Sequence, residues 1–434
     1  MKALTLVPMR ALGVLRRARA LLYLLVILVG VFAAGHNHLA YVLGILLFVL
    51  GLLISVILHE AGHFLTAKKF GMKATQFMIG FGNTLWSTTR GETEYGIKAL
   101  PFGAFVKITG MTTMDEVDPA DEPRAMRNKP RWQRAIVMVA GSFMHFAIAF
   151  VLLILLGLAI GQPSTNSTTV GAVSPCVPAN AKAYDQLSCK GGHGKSPARL
   201  AGVKPGDRIV AIGGKPVHTW TQLGDVLKTQ PVGKQTTVTV VRDGKQITLK
   251  LAPITIPGRK GPILGVVEAE VFQRQGPVSA VGFAGSAFGQ IMVGSAQAAG
   301  SLPSEIPALF NRSHHSANGV TSVVGVAQIA GQAAEYGGGW QYTVFDLLQI
   351  LISVNIFIGA FNLLPLLPLD GGHLAMLGYE QVRAWLARLR GRPDPGVADL
   401  QPLVPVSATV FVILIGLGVL LMAANLYNPV HVIQ

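Results

Sequence analysis

A run of twenty apolar residues, Leu39 to Leu58, passes without a break into His59-Glu60-Ala61-Gly62-His63, and this junction constrains the chain more than any other feature. Twenty residues of helix reach about 30 Å, the thickness of a bilayer's hydrocarbon core. Positions i and i+4 share a helix face, so His59 and His63 can reach one metal ion. Glu60, beside them, suits a general base for water at such an ion. Two surface histidines on a soluble helix are the plainer alternative. It fits poorly, because ionisable groups at the end of a spanning helix are functional by default. The motif predicts a zinc site at membrane depth.

Half the residues are apolar, 13% are charged and the mean hydropathy is +0.48, which is the profile of a polytopic membrane protein. Four segments are long enough to span: Leu39 to Leu58, Ala135 to Ile160, Leu347 to Leu369 and Leu403 to Ala424. A shorter one, Ala20 to Ala34, follows Lys2, Arg10, Arg16, Arg17 and Arg19. It reads either as a cleaved signal peptide or as a short retained helix, and the brief His36-Asn37-His38 link favours the latter. The net charge of +15 gathers before Ala20, between Thr66 and Arg134, and between Arg383 and Arg392. With five spans in series these three clusters lie on one side, which the positive-inside rule makes the cytoplasm. That charge therefore sets orientation and does not imply nucleic acid. Residues from about Gly161 to Gln341 then lie outside. Cys176 and Cys189 fall there, either as a disulfide worth roughly 3 kcal/mol or as two free thiols.

Between the first two long spans, Phe77 to Met111 alternates apolar residues with Gly82, Gly91, Gly96 and Gly103, which predicts short β-hairpins. Phe81, Leu85, Trp86, Leu100, Phe102 and Phe105 give them an apolar face. Such β structure can dip into the membrane only against protein or a wet cavity; the alternative is a peripheral cytosolic hairpin. In the outer region, Ser196-Pro197-Ala198-Arg199-Leu200-Ala201-Gly202-Val203-Lys204-Pro205-Gly206-Asp207-Arg208-Ile209-Val210 leads into strands around Asp243-Gly244. This stretch resembles a PDZ domain, a module that binds extended peptide ends as an added strand. Cys176 to Lys195 reads as an insertion in it. Pro277 to Gly300 reads as a segment on the outer membrane surface, one packed on that domain, or a plain amphipathic helix.

A hydrolytic zinc needs three protein ligands and one open position. Asn362-Leu363-Leu364-Pro365-Leu366-Leu367-Pro368-Leu369-Asp370-Gly371-Gly372 offers Asp370, the one acid at this level of its span. Pro365 and Pro368 break the helix, and Gly371-Gly372 allow a sharp turn. By topology both His63 and Asp370 reach the cytoplasmic side, so two motifs 307 positions apart meet at one depth.

Together with the hairpin sequences and the PDZ-like stretch, these motifs resemble the site-2 protease family of intramembrane zinc metalloproteases, of the actinobacterial type with one PDZ domain. The resemblance leaves out only the first ~35 residues. It implies His59, His63 and Asp370 as ligands of Zn2+ and Glu60 as catalytic acid/base. It also implies Asn362, Phe102, Gly103 and Phe105 as contacts to substrate. Its members cut single-pass membrane proteins, often anti-sigma factors, after a site-1 type protease has trimmed the outer part. Gly141-Ser142-Phe143-Met144-His145 departs from the family's Gly-Pro and following Asn, and Gly103-Ala104 from its Gly-Gly. His145 is then either a substitute hydrogen-bonding group or a polar residue satisfied inside the bundle.

The expected architecture is a polytopic α-helical membrane protein with membrane-dipping β-hairpins and one inserted extracytoplasmic PDZ domain of β-rich α+β type. The expected divisions are 1–35 (basic segment and short helix), 36–66 (first core helix), 67–133 (hairpins and loop), 134–162 (second core helix) and 168–255 (PDZ domain). They continue as 256–343 (outer region), 344–376 (third core helix), 377–402 (cytoplasmic basic loop), 403–426 (fourth core helix) and 427–434 (outer tail). The expected place is a bacterial cell membrane with the active site near its cytoplasmic side. Two rivals remain: a membrane zinc protease with Glu380 as third ligand, and a non-proteolytic zinc-containing PDZ scaffold.

Overall fold

The computed structural model describes residues 38–112, 114–164, 167–185, 189–269, 271–305, 322–335 and 339–427. The expected segment 1–35 and the tail from 428 lie outside the described residues. The chain divides into two units, residues 1–156 with 277–434, and residues 157–276.

In the first unit, α1 (Leu39–Lys69) is 31 residues long. At 1.5 Å per residue it extends about 15 Å beyond His59. Lys68 and Lys69 in its last turn suit the negative helix end, and Gly71, at φ +66°, turns the chain into β1 (Ala74–Arg90). β2 (Thr93–Ile108) follows, and the two strands fold back on themselves. Gln76 to Ile79 lies between two neighbours: Ala104 to Lys107, running against it, and Glu94 to Ile97, whose register rises with it. Trp86 to Arg90 then pairs with Thr93 to Ile97 on the far side. The expected hairpins are thus a small sheet of four short segments, with Ala104 to Ile108 along one edge. Phe81, Leu85, Trp86, Ile97 and Leu100 are exposed on it. Its turn is tied to the end of α1 through Glu92, which binds both Lys68 and Arg124. Arg124 first, then Lys68, hold that carboxyl down at about 2. The tie is therefore fully formed above the ordinary carboxylate range and is lost as pH falls towards 2.

The helix α2 (Arg131–Leu155) runs back antiparallel to α1: Trp132 meets Phe70 at one end, and Gly62 lies against Ala140 higher up. A Cβ on Gly62 would sit 2.6 Å from the Ala140 carbonyl oxygen, so glycine sets how close the two helices come.

The unit 157–276 contains a four-stranded sheet. Its strands are β3 (Arg208–Ile212), β4 (Lys215–Pro216), β5 (Thr236–Arg242) and β6 (Lys245–Leu251), in the order β4-β3-β5-β6. The Asp243-Gly244 turn, with φ of 52° and 76°, joins β5 to β6 as a two-residue hairpin requires. Helix α3 (Trp220–Lys228), capped by Thr219, adds Leu223 and Leu227 to a core of Ile209, Ile212, Val238 and Val240. The body extends past the expected 168–255, because Val266–Glu268 pairs with Val170–Val173. Cys176 and Cys189 are joined, with Cα atoms 5.9 Å apart, which settles the open choice in favour of the disulfide.

Back in the first unit, α4 (Pro277–Glu305) packs on α2, with Phe288 edge-on to Phe146 and Phe150. Its stretch Pro277–Ser301 is long and apolar enough to cross a membrane, which the sequence reading does not count among the spans. Five described helices meet that measure; the others are Leu39–Lys69, Arg131–Ile160, Trp340–Asn362 and Gln401–Asn425. The protein is thus a multi-pass helical membrane protein. Helix α5 (Val323–Glu335) lies on Tyr41 and Gly44 near the start of α1.

The third expected core helix, 344–376, is divided. Helix α6 (Trp340–Asn362) ends at the Pro365–Pro368 segment, and α7 (Asp370–Leu389) starts afresh and occupies much of the stretch read as a loop. Helix α8 (Val404–Tyr427) completes the unit. Glu380 of α7 is 2% exposed and accepts from Arg134 of α2 at 2.8 and 3.2 Å and from the Ala398 N–H at 3.0 Å. This pair fixes α7 along the start of α2. Glu380→Ala leaves the Arg134 charge buried without its partner, a loss of about 3–5 kcal/mol. The unfolding midpoint of the detergent-purified protein should fall by several degrees; an unchanged midpoint would refute the lock.

Candidate metal centre

Two elements deliver three donor atoms to one point. Helix α1 presents His59 and His63 one turn apart, and α7 contributes Asp370 from its first turn. His63 Nε2 lies 3.1 Å from His59 Nε2, and Asp370 Oδ2 lies 3.5 Å from His59 Nε2 and 3.3 Å from His63 Nε2. Both histidines are buried. Among the described residues, these are the group of His, Cys, Asp or Glu side chains close enough to hold a metal ion.

The arrangement fits zinc on its donor chemistry. His63 Nδ1 donates to the Val137 carbonyl at 2.7 Å, which leaves the Nε2 lone pair facing the site. Asp370 Oδ2 is buried without a hydrogen-bond partner among the described residues. Acceptors thus converge where a cation would relieve them. A tetrahedral zinc with bonds of about 2.0–2.2 Å has ligand-to-ligand edges of roughly 3.3–3.6 Å, close to the three separations found.

Local sequence explains the convergence. Gly141 of α2 faces both rings, and a Cβ there would lie 2.3 Å from His63 Nε2 and 2.6 Å from His59 Nε2. Gly371 and Gly372, read from the sequence as allowing a sharp turn, serve by close approach inside the first turn of α7. A Cβ on Gly371 would meet the Leu363 carbonyl carbon and oxygen at 2.3 Å, and one on Gly372 the Leu367 nitrogen at 2.6 Å. The proline-broken segment coils directly over the start of α7, and only glycine leaves room for it.

Glu60 is outside the donor triangle. Its Oε2 accepts from the Val106 N–H at 3.0 Å, so the carboxylate is tethered to the edge segment of the small sheet. His145 is 1% exposed, its ring 4.9 Å from that of His59, and its Nδ1 is 2.9 Å from Asn355 Oδ1. Asn355 in turn donates to the Leu351 carbonyl. Of the two readings of His145, a polar residue satisfied inside the bundle is the one this geometry matches.

Asn362 is the last residue of α6 and half-buried. Phe105 stacks on Phe81 at 6.0 Å, with the Lys98 ammonium over its face. Gly103, at φ +109°, lets the Phe81 ring lie on the backbone. The Phe102 side chain lies outside the described residues, and its backbone runs in β2. Glu380 is held by Arg134 and Ala398, away from the donor triangle. Sequence reasoning passes over the roles of Asn355 and Gly141. A polar residue in an apolar span marks the first, and a glycine one helix face from a histidine marks the second. A cleft of about 1060 Å³ runs along Phe105 to Thr112 with Glu94, Asp115 and His373 on its walls.

Comparison with known proteins comes to the same chemistry. The family model for peptidase family M50 matches residues 47–392. The chain is 35% identical over 412 residues to the zinc metalloprotease Rip1 of Mycobacterium tuberculosis, covering 91% of this chain and 100% of that protein. It is 33% identical to the zinc metalloprotease Rip1 of Mycolicibacterium smegmatis, covering 90% and 99%.

Proposed function

The chain belongs to peptidase family M50, the site-2 protease family of zinc metalloproteases, and from that premise we propose an intramembrane endopeptidase that cuts the transmembrane segments of single-pass membrane proteins. In this reading His59, His63 and Asp370 are the zinc ligands and Glu60 is the catalytic acid/base. The observation that carries it is the donor triangle with edges of 3.1, 3.3 and 3.5 Å at the end of a twenty-residue apolar run, with Glu60 beside it.

Zinc, when bound, supplies Lewis acidity that polarises a scissile carbonyl and acidifies water. The chain's own groups do the rest. Val137 fixes the His63 tautomer, and the Val106 N–H holds one Glu60 oxygen. The other oxygen is left to take a proton from water and return it to the leaving amine. In this reading the route for water is the cleft beside Phe105 to Thr112, whose wall includes Val106, the residue that holds Glu60. Chelation with 1,10-phenanthroline should stop cleavage of a co-expressed single-pass substrate with a shortened outer part, and zinc should restore it. Cleavage that persists after complete zinc removal would sink the metal-dependent reading.

A transmembrane helix hides its amides and must unwind before it is cut. The edge segment Ala104 to Ile108, joined to Glu60 through Val106, suits addition of the unwound substrate as a further strand. Gly103, Phe105 and Phe102 are its substrate contacts in this reading, with Asn362 bonding the substrate backbone. Phe105→Pro removes an N–H from the ladder opposite Met78. Cleavage should fall at least about tenfold at unchanged zinc content; unaltered cleavage would overturn the strand-addition step.

The exposed apolar face at Phe81, Leu85, Trp86 and Leu100 supports a sheet that dips into the bilayer, from the cytoplasmic side by the positive-inside rule. The body of residues 157–276 is a PDZ domain in this reading, extracytoplasmic, filtering substrates by the size of their outer part. Anti-sigma factors trimmed by an upstream site-1 type protease are the proposed substrates, in a bacterial cell membrane.

A further inference from the structure

Within the body of residues 157–276, the strand Val266–Glu268 pairs along one edge with Val170–Val173. The Ser174 N–H donates to the Gly265 carbonyl at 2.9 Å and the Ala269 N–H to the Thr169 carbonyl at 2.8 Å. That pattern makes Val173–Val266 and Val170–Glu268 the non-hydrogen-bonded pairs, so Val266 and Glu268 turn their own N–H and C=O to the opposite edge. An extended peptide joining this body as a strand would use those groups. The Val266 carbonyl is already engaged. The Tyr184 hydroxyl donates to it at 2.5 Å, and Tyr184 is 7% exposed.

Tyr184 reaches that edge on a segment built to hold it. The Cys176–Cys189 disulfide closes the segment, and Val177 and His193 exchange backbone hydrogen bonds of 3.0 Å at its base. Asn180 caps the short helix Ala181–Asp185 by accepting from the Ala183 N–H. The Ala181 N–H donates to the Pro257 carbonyl at 3.0 Å, which docks the helix beside the strand. The Tyr184 ring packs with Ile256 and Ile263, and the Arg259 guanidinium lies 4.5 Å from its centroid.

We propose that residues 176–185, held by the disulfide to Cys189, are an internal cap: Tyr184 takes, in the folded protein, the acceptor that the N–H of an added peptide strand would use, and so closes this edge to peptide ligands. The body then acts on substrates by bulk, without gripping their ends. The proposal rests on reading the body as a PDZ domain and is independent of the zinc chemistry.

The test uses full-length protein in nanodiscs: wild type, Tyr184→Phe, which keeps the ring and its packing, and Tyr184→Ala. A heptapeptide library with free C-terminal carboxylates is selected on the variants, and the enriched peptide's affinity is measured on all three by fluorescence anisotropy. Both variants should bind it at least about tenfold more tightly than wild type, the scale of one released buried hydrogen bond. Equal affinity for wild type and variants, or no peptide enriched on either variant, would overturn the cap. Cleavage of a substrate lacking its outer part, expected at the wild-type rate in Tyr184→Phe, reports separately on the protease reading.

Discussion

Glu60→Gln should abolish peptide hydrolysis while zinc content stays at the wild-type level. Glutamine keeps the size of the side chain, and its amide oxygen can still accept from the Val106 N–H now 3.0 Å from the carboxylate. It cannot take up a proton. General acid–base catalysis contributes roughly a hundred- to ten-thousandfold, so cleavage should drop by about a thousandfold or more. Zinc is expected to stay because Glu60 is not one of the three converging donors, His59, His63 and Asp370. Zinc by atomic absorption and cleavage of a single-pass substrate on the same preparations make the check. Cleavage within a few-fold of wild type would remove Glu60 from the mechanism. Loss of zinc together with activity would make it a structural residue.

Gly141→Ala should be nearly as severe by a different route. The added methyl would sit 2.3 Å from His63 Nε2 and 2.5 Å from His59 Cε1, well inside any tolerated contact. Relief by separating α1 from α2 is opposed at the adjoining residues, where Gly62 and Ala140 bring the two backbones together. The imidazoles must therefore swing off the site. Zinc occupancy should fall at least about tenfold at limiting metal, and cleavage with it. Ser142→Ala is the control: the Ser142 hydroxyl is buried with no hydrogen-bond partner among the described residues, so its removal should leave both readings near wild type. A Gly141→Ala protein that binds zinc and cleaves normally would mean the helices repack freely.

Much of this centre can be read directly from the chain. His59, Glu60 and His63 follow from one helical turn, and Asp370 follows from depth, because two spans running the same way must bring their lower ends level. The helix break after Asn362 follows from Pro365 and Pro368. What lies beyond these depends on contacts between elements remote in sequence. The part played by Gly141 appears only when α2 is laid against the histidines, and that of Gly371 only when the Leu363 carbonyl is folded over it. Period-two patterning in Phe77 to Met111 indicates strands but not their order, so the four-segment sheet and its edge at Val106 were beyond its reach. Helix α7 extends through a stretch that charge alone reads as a loop. Its inner face is secured by the Arg134–Glu380 pair, whose partners are 246 residues apart. The apolar stretch at Pro277 is diluted by glycine and serine, so the sequence offers a helix there without marking it as long and apolar enough to cross a membrane. Two cysteines thirteen residues apart point to a disulfide without excluding two free thiols until the fold brings their Cα atoms to 5.9 Å.

Intramembrane cleavage is tested by reconstituting the purified, zinc-loaded protein in liposomes with a single-pass substrate whose outer part has been shortened, and identifying the cut bond by mass spectrometry. A single major cut is expected within the substrate's apolar membrane segment, absent with Glu60→Gln. Cleavage confined to the polar flanks, or none from a fully zinc-loaded protein, would contradict it.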